Sequence, residues 1–266
     1  MYINPVNEIA FTFCGISIYW YGIIMALAIF VGITFADNLF IKTYIYGRKE
    51  IFYEFAPLIV VFGLLSARLY FCALNMSYYL KYPLEILDFR QGGLSVHGAI
   101  IGGVLAFMIV AKYTKTNLLR LLDIASCATI ISQSIGRWGN YFNSEAYGIP
   151  TNQQWGLFIP AVKRLPEYYQ FQYYHPTFLY ECLLDFGGFI ILYKLLKKYQ
   201  YRDSNGIIFF LYLIIYSIIR LVIEPLRIDS ALKIGEVSIA IYVSVIFLIV
   251  GIVGLLMLKF AKSKNQ

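Results

Sequence analysis

Apolar runs of about 20 residues recur along this chain, each long enough to cross a bilayer core of about 30 Å as a helix. Inside hydrocarbon every backbone N–H and C=O needs a partner within its own segment, so such runs admit helices and exclude open sheets. Seven runs fall at about 17–40, 52–75, 94–112, 119–138, 177–196, 206–224 and 237–258. The chain is 60% hydrophobic and 14% charged, against about 25% charged in a soluble domain. The expected fold is all-α, a polytopic integral membrane bundle of seven transmembrane helices. No stretch is left for a separate soluble domain, so residues 1–266 read as one transmembrane domain. The longest connection, about 143–175, contains Pro150, Pro160 and Pro166 and reads as an ordered, partly interfacial loop on the outer side.

Lysine and arginine set the orientation. Residues 1–16 carry neither, and over alternate connections thirteen fall on one side and six on the other. Loops rich in Lys and Arg stay cytoplasmic, so the N-terminus is expected outside and the C-terminus in the cytoplasm. Arg68, Arg137 and Arg220 are left over, within or at the outer ends of apolar runs. On this topology spans two, four and six run outward, which places all three in the outer half of the membrane. An arginine at a helix centre costs about 2.5–3.5 kcal/mol on insertion scales. Several such cations on one side can converge on one anion.

The formal net charge of +7 does not point to nucleic acid, because no Lys/Arg stripe interleaves with aromatics in an exposed segment. The 24 Tyr and 21 Phe suit interfacial belts and helix packing. Cys14, Cys72, Cys127 and Cys182 are scattered without a CxxC pair. Three of them lie in apolar runs, where a thiol behaves as a small hydrophobe. Neither a disulfide framework nor a metal site is expected. No basic segment precedes the first run, so the N-terminus does not read as a cleaved signal peptide.

Four constellations carry candidate chemistry. In Gly136-Arg137-Trp138-Gly139-Asn140-Tyr141-Phe142-Asn143-Ser144-Glu145, a continuing helix would set Arg137 and Asn140 on one face. Arginine offers a planar, permanently charged fork for phosphate, and Asn amides can hold ester or hydroxyl oxygens. The plainer alternative is a structural Arg–Glu pair at a helix end. Farther on, Tyr216, Arg220 and Glu224 share one helical stripe, and Pro225 ends or kinks the helix. Here a self-satisfied ion pair is an equal alternative. Gly92-Gly93-Leu94-Ser95-Val96-His97-Gly98 brings one of two histidines to a helix start. His97 suits a base near neutral pH, while Gly98 and Gly102 form a small-residue packing face that needs no function. His175-Pro176-Thr177-Phe178-Leu179-Tyr180-Glu181 opens span five, where Glu181 and Asp185 need internal partners and read as structural. Tyr21 lies at the outer end of span one, in what resembles an aromatic belt.

Together these motifs resemble the signature of bacterial prolipoprotein diacylglyceryl transferases. The resemblance rests on Gly136-Arg137-x-Gly139-Asn140-x-x-Asn143-x-Glu145-x-x-Gly148, on Gly92-Gly93-Leu94-Ser95-x-His97-Gly98 and on His175-Pro176-Thr177-x-Leu179-Tyr180-Glu181. It continues through Tyr216-x-x-x-Arg220-x-x-x-Glu224-x-x-Arg227-x-Asp229, and it runs in order from Trp20-Tyr21-Gly22 to Asp229. It implies transfer of the diacylglyceryl group of phosphatidylglycerol to the thiol of a lipobox cysteine in a preprolipoprotein. The product would be a thioether and the leaving group glycerol 1-phosphate, the first step of bacterial lipoprotein maturation. It further implies no metal or soluble cofactor, a place in the bacterial cytoplasmic (inner) membrane, and three partners: phosphatidylglycerol, the lipobox peptide and the bilayer. By resemblance Arg137 and Arg220 are the key cations around the phosphate, and His97, Glu145 and Glu224 join them as catalytic residues. Tyr21, Asn140, Asn143, Gly148 and Tyr216, with Arg68 from the topology, would bind substrate. Ala99 and Ile149 depart from the pattern, where many members carry glycine and some a basic residue.

The chemistry gives these roles content. A thiolate must displace a phosphate-bound glycerol carbon, and fixed cations lower the barrier as charge builds on the leaving phosphate. A free thiol has a pKa of about 8.5, so either His97 takes its proton or the arginine field depresses the thiol pKa. Both routes stay open. A retinal photoreceptor would need a lysine in its last span, and residues 237–258 have none. An anion transporter or lipid flippase would also keep intramembrane arginines, but the two halves show no convincing repeat. A purely structural scaffold would not need arginines and histidines gathered on one side.

Overall fold

The computed structural model describes residues 7–43, 50–88, 93–199, 205–228 and 233–264. The chain is mostly helical and divides into two compact units, residues 1–35 with 123–266, and residues 36–122. Among the described residues the seven longer helices are α1 (Trp20–Thr43), α2 (Ile51–Leu74), α4 (Val96–Thr114), α5 (Leu118–Asn143), α6 (Thr177–Tyr199), α7 (Ile207–Ile223) and α8 (Ile239–Lys264), and α3 (Met76–Tyr79) is a single turn. Among the described residues five segments are long and apolar enough to cross a membrane: Trp20–Phe40, Ile51–Leu74, Leu118–Asn143, Ile207–Leu226 and Ile239–Ala261. Gly98–Thr114 is a shorter apolar helix, and α6 carries Glu181, Asp185 and Lys194 within its length. An 18-residue stretch of α5 is 56% buried, against 17% for those of α2 and α8, and its buried residues gather at 121–128, before Arg137.

In the larger unit, strands β1 (Ile9–Phe13) and β2 (Ile16–Tyr19) form an antiparallel hairpin. Residues 17–19, expected within the first span, therefore belong to a strand. The hairpin turn is Cys14-Gly15, with φ of 48° and 79°, the left-handed pair that matches strand twist. Residues 144–176 form an ordered cap. Strands β3 (Leu157–Phe158) and β4 (Tyr173–Tyr174) pair there, and Tyr147, Leu157, Ile159, Tyr174 and Phe178 make a buried cluster. The Tyr174 hydroxyl donates to Tyr168 O at 2.7 Å, and Tyr147 donates to Lys163 O at 2.7 Å. A last short hairpin, β5 (Lys233–Ile234) with β6 (Val237–Ser238), precedes α8.

Helix α6 packs on α7, and α7 on α8. The start of α7 is held by Asp123 of α5, which accepts from Gly206 N at 2.7 Å and Phe209 N at 2.8 Å. A carboxylate there satisfies N–H groups that the helix itself leaves unpaired.

In the smaller unit, α2 packs on α4. The expected small-residue face explains how: a Cβ on Gly98 would lie 2.7 Å from Ala67 Cα, and one on Gly102 2.6 Å from Ser66 Oγ. Overpacking of this kind costs about 1–3 kcal/mol, and more where backbone must move. The Gly102→Leu variant is therefore expected to melt several degrees below the parent in detergent, and an unchanged melting temperature would contradict this packing. Arg68 of α2 donates to Ile86 O at 2.9 Å, Glu85 O at 2.5 Å and Gly93 O at 3.3 Å. It thereby fastens the connection that follows α3. Tyr78 donates to Glu85 Oε2 at 2.7 Å, and that hydrogen bond raises the phenol pKa above its ordinary value.

Candidate active site

Three helices of the larger unit supply the site. Helix α5 carries Gln133, Arg137 and Asn140 on one face, and α6 carries Glu181 and Asp185 one turn apart. Helix α7 carries Tyr212, Tyr216 and Arg220, and the 3₁₀ turn Glu224–Leu226 follows it before Arg227. The helix end therefore delivers Glu224 one turn beyond Arg220, as the stripe predicts.

Glu181 is the hub. Its side chain has no exposure, and it forms ion pairs with three arginines. Arg220 Nη1 donates to both its oxygens, at 3.0 and 3.1 Å. Arg137 Nη2 pairs with Oε2, and Arg227 Nη1 lies 3.5 Å from Oε1. Arg220 also pairs with Glu224, whose Oε1 accepts from Ser238 at 2.5 Å. Arg137 Nε stands 3.9 Å from Asp185 Oδ2. Guanidinium stays charged at any accessible pH, so these cations must be paired rather than neutralised. The pairing is local: around Glu181 three guanidiniums face one carboxylate. The arginine side chains keep 21% (Arg137), 10% (Arg220) and 15% (Arg227) exposure, while the Glu181 side chain they share has none.

Helix α5 continues through the motif and ends at Asn143. Glu145 Oε1 accepts from Asn140 Nδ2 at 2.9 Å and from Asn143 Nδ2 at 3.5 Å. Ser144 and Ala146, on either side of it, hold φ of 52° and 55°. Non-glycine residues at positive φ are strained, and such strain gathers at functional sites. The ion pairs of Arg137 run across helices, to Glu181 and Asp185 of α6. Tyr21 lies over Gly139, where an added Cβ would be 2.9 Å from its ring. Trp20 stacks on Phe142 with ring centroids 5.1 Å apart. Tyr216 lies between Tyr212 and Phe247, 6.1 Å from each ring.

Gly148 marks a crossing of three backbone segments. Gly148 N donates to His175 O and Ile149 N to Leu226 O, both at 2.9 Å, and Gly148 bridges Arg227. A Cβ there would lie 2.8 Å from Leu226 O. Glycine is thus required for a close approach that sets Arg227 beside Glu181. His175 contacts the Tyr180 hydroxyl at 3.1 Å, and Trp155 Nε1 donates to the same hydroxyl at 2.9 Å.

Arg137, Arg220, Glu224, Asn140, Asn143, Glu145, Tyr21, Tyr216 and Gly148 all belong to this unit. Arg68 belongs to the other, engaged with the carbonyl oxygens described above. His97 lies in the first turn of α4, and its side chain is outside the described residues, as are Gly92 and Asp229. Sequence reasoning assigned Glu181 and Asp185 to structure and gave Arg227 no role. The signal was present: two carboxylates one turn apart in an apolar run need cations, and the arginines needed anions. Among the described residues no group of three or more His, Cys, Asp or Glu is arranged for a metal ion.

A mostly helical protein with several helices apolar enough to cross a membrane, and an arginine–carboxylate cluster shared among three of its helices, is the class that fold and site define. The family model for prolipoprotein diacylglyceryl transferase matches residues 8–257. Three relatives bear the name phosphatidylglycerol--prolipoprotein diacylglyceryl transferase. That of Nostoc sp. is 39% identical over 243 residues, 90% of this chain and 85% of the relative. That of Synechocystis sp. is 39% identical over 255 residues, 95% and 89%. That of Staphylococcus aureus is 38% identical over 251 residues, 94% and 88%. The chain belongs to the prolipoprotein diacylglyceryl transferase family.

Proposed function

We propose that this protein transfers the diacylglyceryl group of phosphatidylglycerol to the thiol of a lipobox cysteine, forming a thioether and releasing glycerol 1-phosphate. The observation that carries the reading is the convergence of Arg137, Arg220 and Arg227 on the fully buried Glu181, in a chain of this family. The whole chain acts as a single catalytic domain in the bacterial cytoplasmic membrane. Helices α4 and α6 cross it with the other five, the N-terminus outside and the C-terminus inside. Thirteen against six basic residues on alternate sides support that orientation.

The cysteine sulfur attacks the glycerol carbon that bears the phosphate. The S–C bond forms, the C–O bond breaks, and its electron pair goes to the phosphate oxygen. The thiol proton passes to a base. Arg137 and Arg220 meet the developing charge, and Glu181, Glu224 and Asp185 hold them in place beforehand. Cations already oriented need no reorganisation as charge develops, which is where electrostatic catalysis gains most. Tyr21, Asn140, Asn143, Gly148 and Tyr216 bind the substrate, and Glu145 acts through the two amides on its Oε1. Either His97 takes that proton or the arginine field lowers the thiol pKa. If His97 takes it, the His97→Gln variant should lose one limb of the pH–rate profile. An unchanged profile would assign thiol deprotonation to the arginine field.

The test uses purified protein, phosphatidylglycerol vesicles and a lipobox peptide. The peptide should gain the mass of one diacylglyceryl group at its cysteine, and a Cys→Ser peptide should gain nothing. Lipid moving between leaflets without any peptide product would overturn the reading in favour of a flippase.

A further inference from the structure

Among the described residues of the larger unit, three buried polar atoms have no hydrogen-bond partner: Gln133 Oε1, Arg137 Nε and Asp185 Oδ2. They belong to one neighbourhood. Gln133 and Arg137 are one turn apart on α5. Arg137 Nε and Asp185 Oδ2 face each other at 3.9 Å, too far for a hydrogen bond. Gln133 Nε2 donates to the Tyr212 hydroxyl at 3.1 Å, and Tyr212 lies within electrostatic reach of both Asp185 and Arg137. Asp185 is 3% exposed, so its free oxygen is sealed from bulk solvent. Leaving a buried polar atom unpaired costs about 1–3 kcal/mol, more for a charged one. Three together, in a protein that otherwise pairs its buried charges, describe a place kept for a polar group.

The set consists of two acceptors and one donor. A vicinal diol is its complement. One hydroxyl donates to Asp185 Oδ2 while accepting from Arg137 Nε, and the other donates to Gln133 Oε1. An ammonium group has no lone pair for Arg137 and meets its positive charge. An alkyl group satisfies none of the three. The guanidinium that supplies Nε here also supplies Nη2 to Glu181, which leaves Nη1 of the same side chain for the phosphate. Resting on the proposed function, we propose that Gln133, Asp185 and Arg137 Nε form the subsite that recognises the terminal diol of the phosphatidylglycerol headgroup. Gln133 and Asp185 are then specificity residues, with Tyr212 positioning Gln133.

The test compares transfer to a lipobox peptide from phosphatidylglycerol and from phosphatidyl-1-propanol, which lacks both hydroxyls, in the parent, Gln133→Leu and Asp185→Leu. The parent should prefer phosphatidylglycerol in kcat/KM by about ten- to a hundredfold, the range for losing hydrogen bonds to buried groups. In Gln133→Leu the preference should shrink toward parity, chiefly by loss of rate on phosphatidylglycerol; in Asp185→Leu, which also removes an anion beside Arg137, both rates should fall and the preference should still shrink. A parent without preference overturns the subsite, whether or not the variants fold. So does a preference that persists in either variant while both rates fall together, which would leave ordered water as the partner of these atoms. A parent that transfers from neither lipid overturns the proposed function itself.

Discussion

Transfer by the Arg220→Ala variant is expected to fall by about a hundred- to a thousandfold, with the protein still inserted and folded. The magnitude is that of removing one pre-set donor from a developing anion. Arg220 is 8% exposed and touches two carboxylates, so its removal perturbs charge balance as well. The fold is expected to tolerate that, because Glu181 keeps Arg137 and Arg227 and Glu224 keeps Ser238. Arg220→Lys retains the charge without the fork and should recover only part of the rate. A monodisperse Arg220→Ala protein with parental activity would remove this arginine from the phosphate.

Loss of Glu181 should strike stability as well as rate. The Glu181→Ala variant leaves three converging guanidiniums without their common carboxylate, in a site where that carboxylate has no exposure. Breaking a buried pair from one side costs about 3–5 kcal/mol, a large part of typical folding stability. At about 2–4 °C per kcal/mol for a domain of comparable size, melting should drop by roughly 10 °C. Glu181→Gln keeps an acceptor of the same shape and should fall between the two. An Ala variant that melts with the parent would mean the arginines are held by other groups.

Much of this site was legible in the residue order, and the rest was hidden for a physical reason. The i, i+4 relation of Arg220 and Glu224 lies within the helix-end segment, and periodicity gives it directly. The continuation of α5 through Arg137 and Asn140 follows from an apolar run without a breaker. The identity of the partner across helices does not. Arg137 had Glu145 close in sequence, yet its ion pairs are with Glu181 and Asp185, more than forty residues away. Spacing along one helix says nothing about which face a second helix presents. Gly148 shows the same limit: its need for glycine comes from Leu226 O, a backbone atom far along the chain. The hairpin before α1 escaped because its strands are as apolar as the helix they precede, and hydropathy alone does not separate them.

The most direct measurement counts both products of one reaction. Purified protein, phosphatidylglycerol and a lipobox peptide are incubated together, and the diacylglyceryl-peptide thioether and free glycerol 1-phosphate are quantified over time. The account predicts that the two appear in equal amounts, and that both disappear together in Arg137→Ala and Arg220→Ala. Lipid consumption without thioether, or thioether accompanied by a phosphate product other than glycerol 1-phosphate, would contradict it.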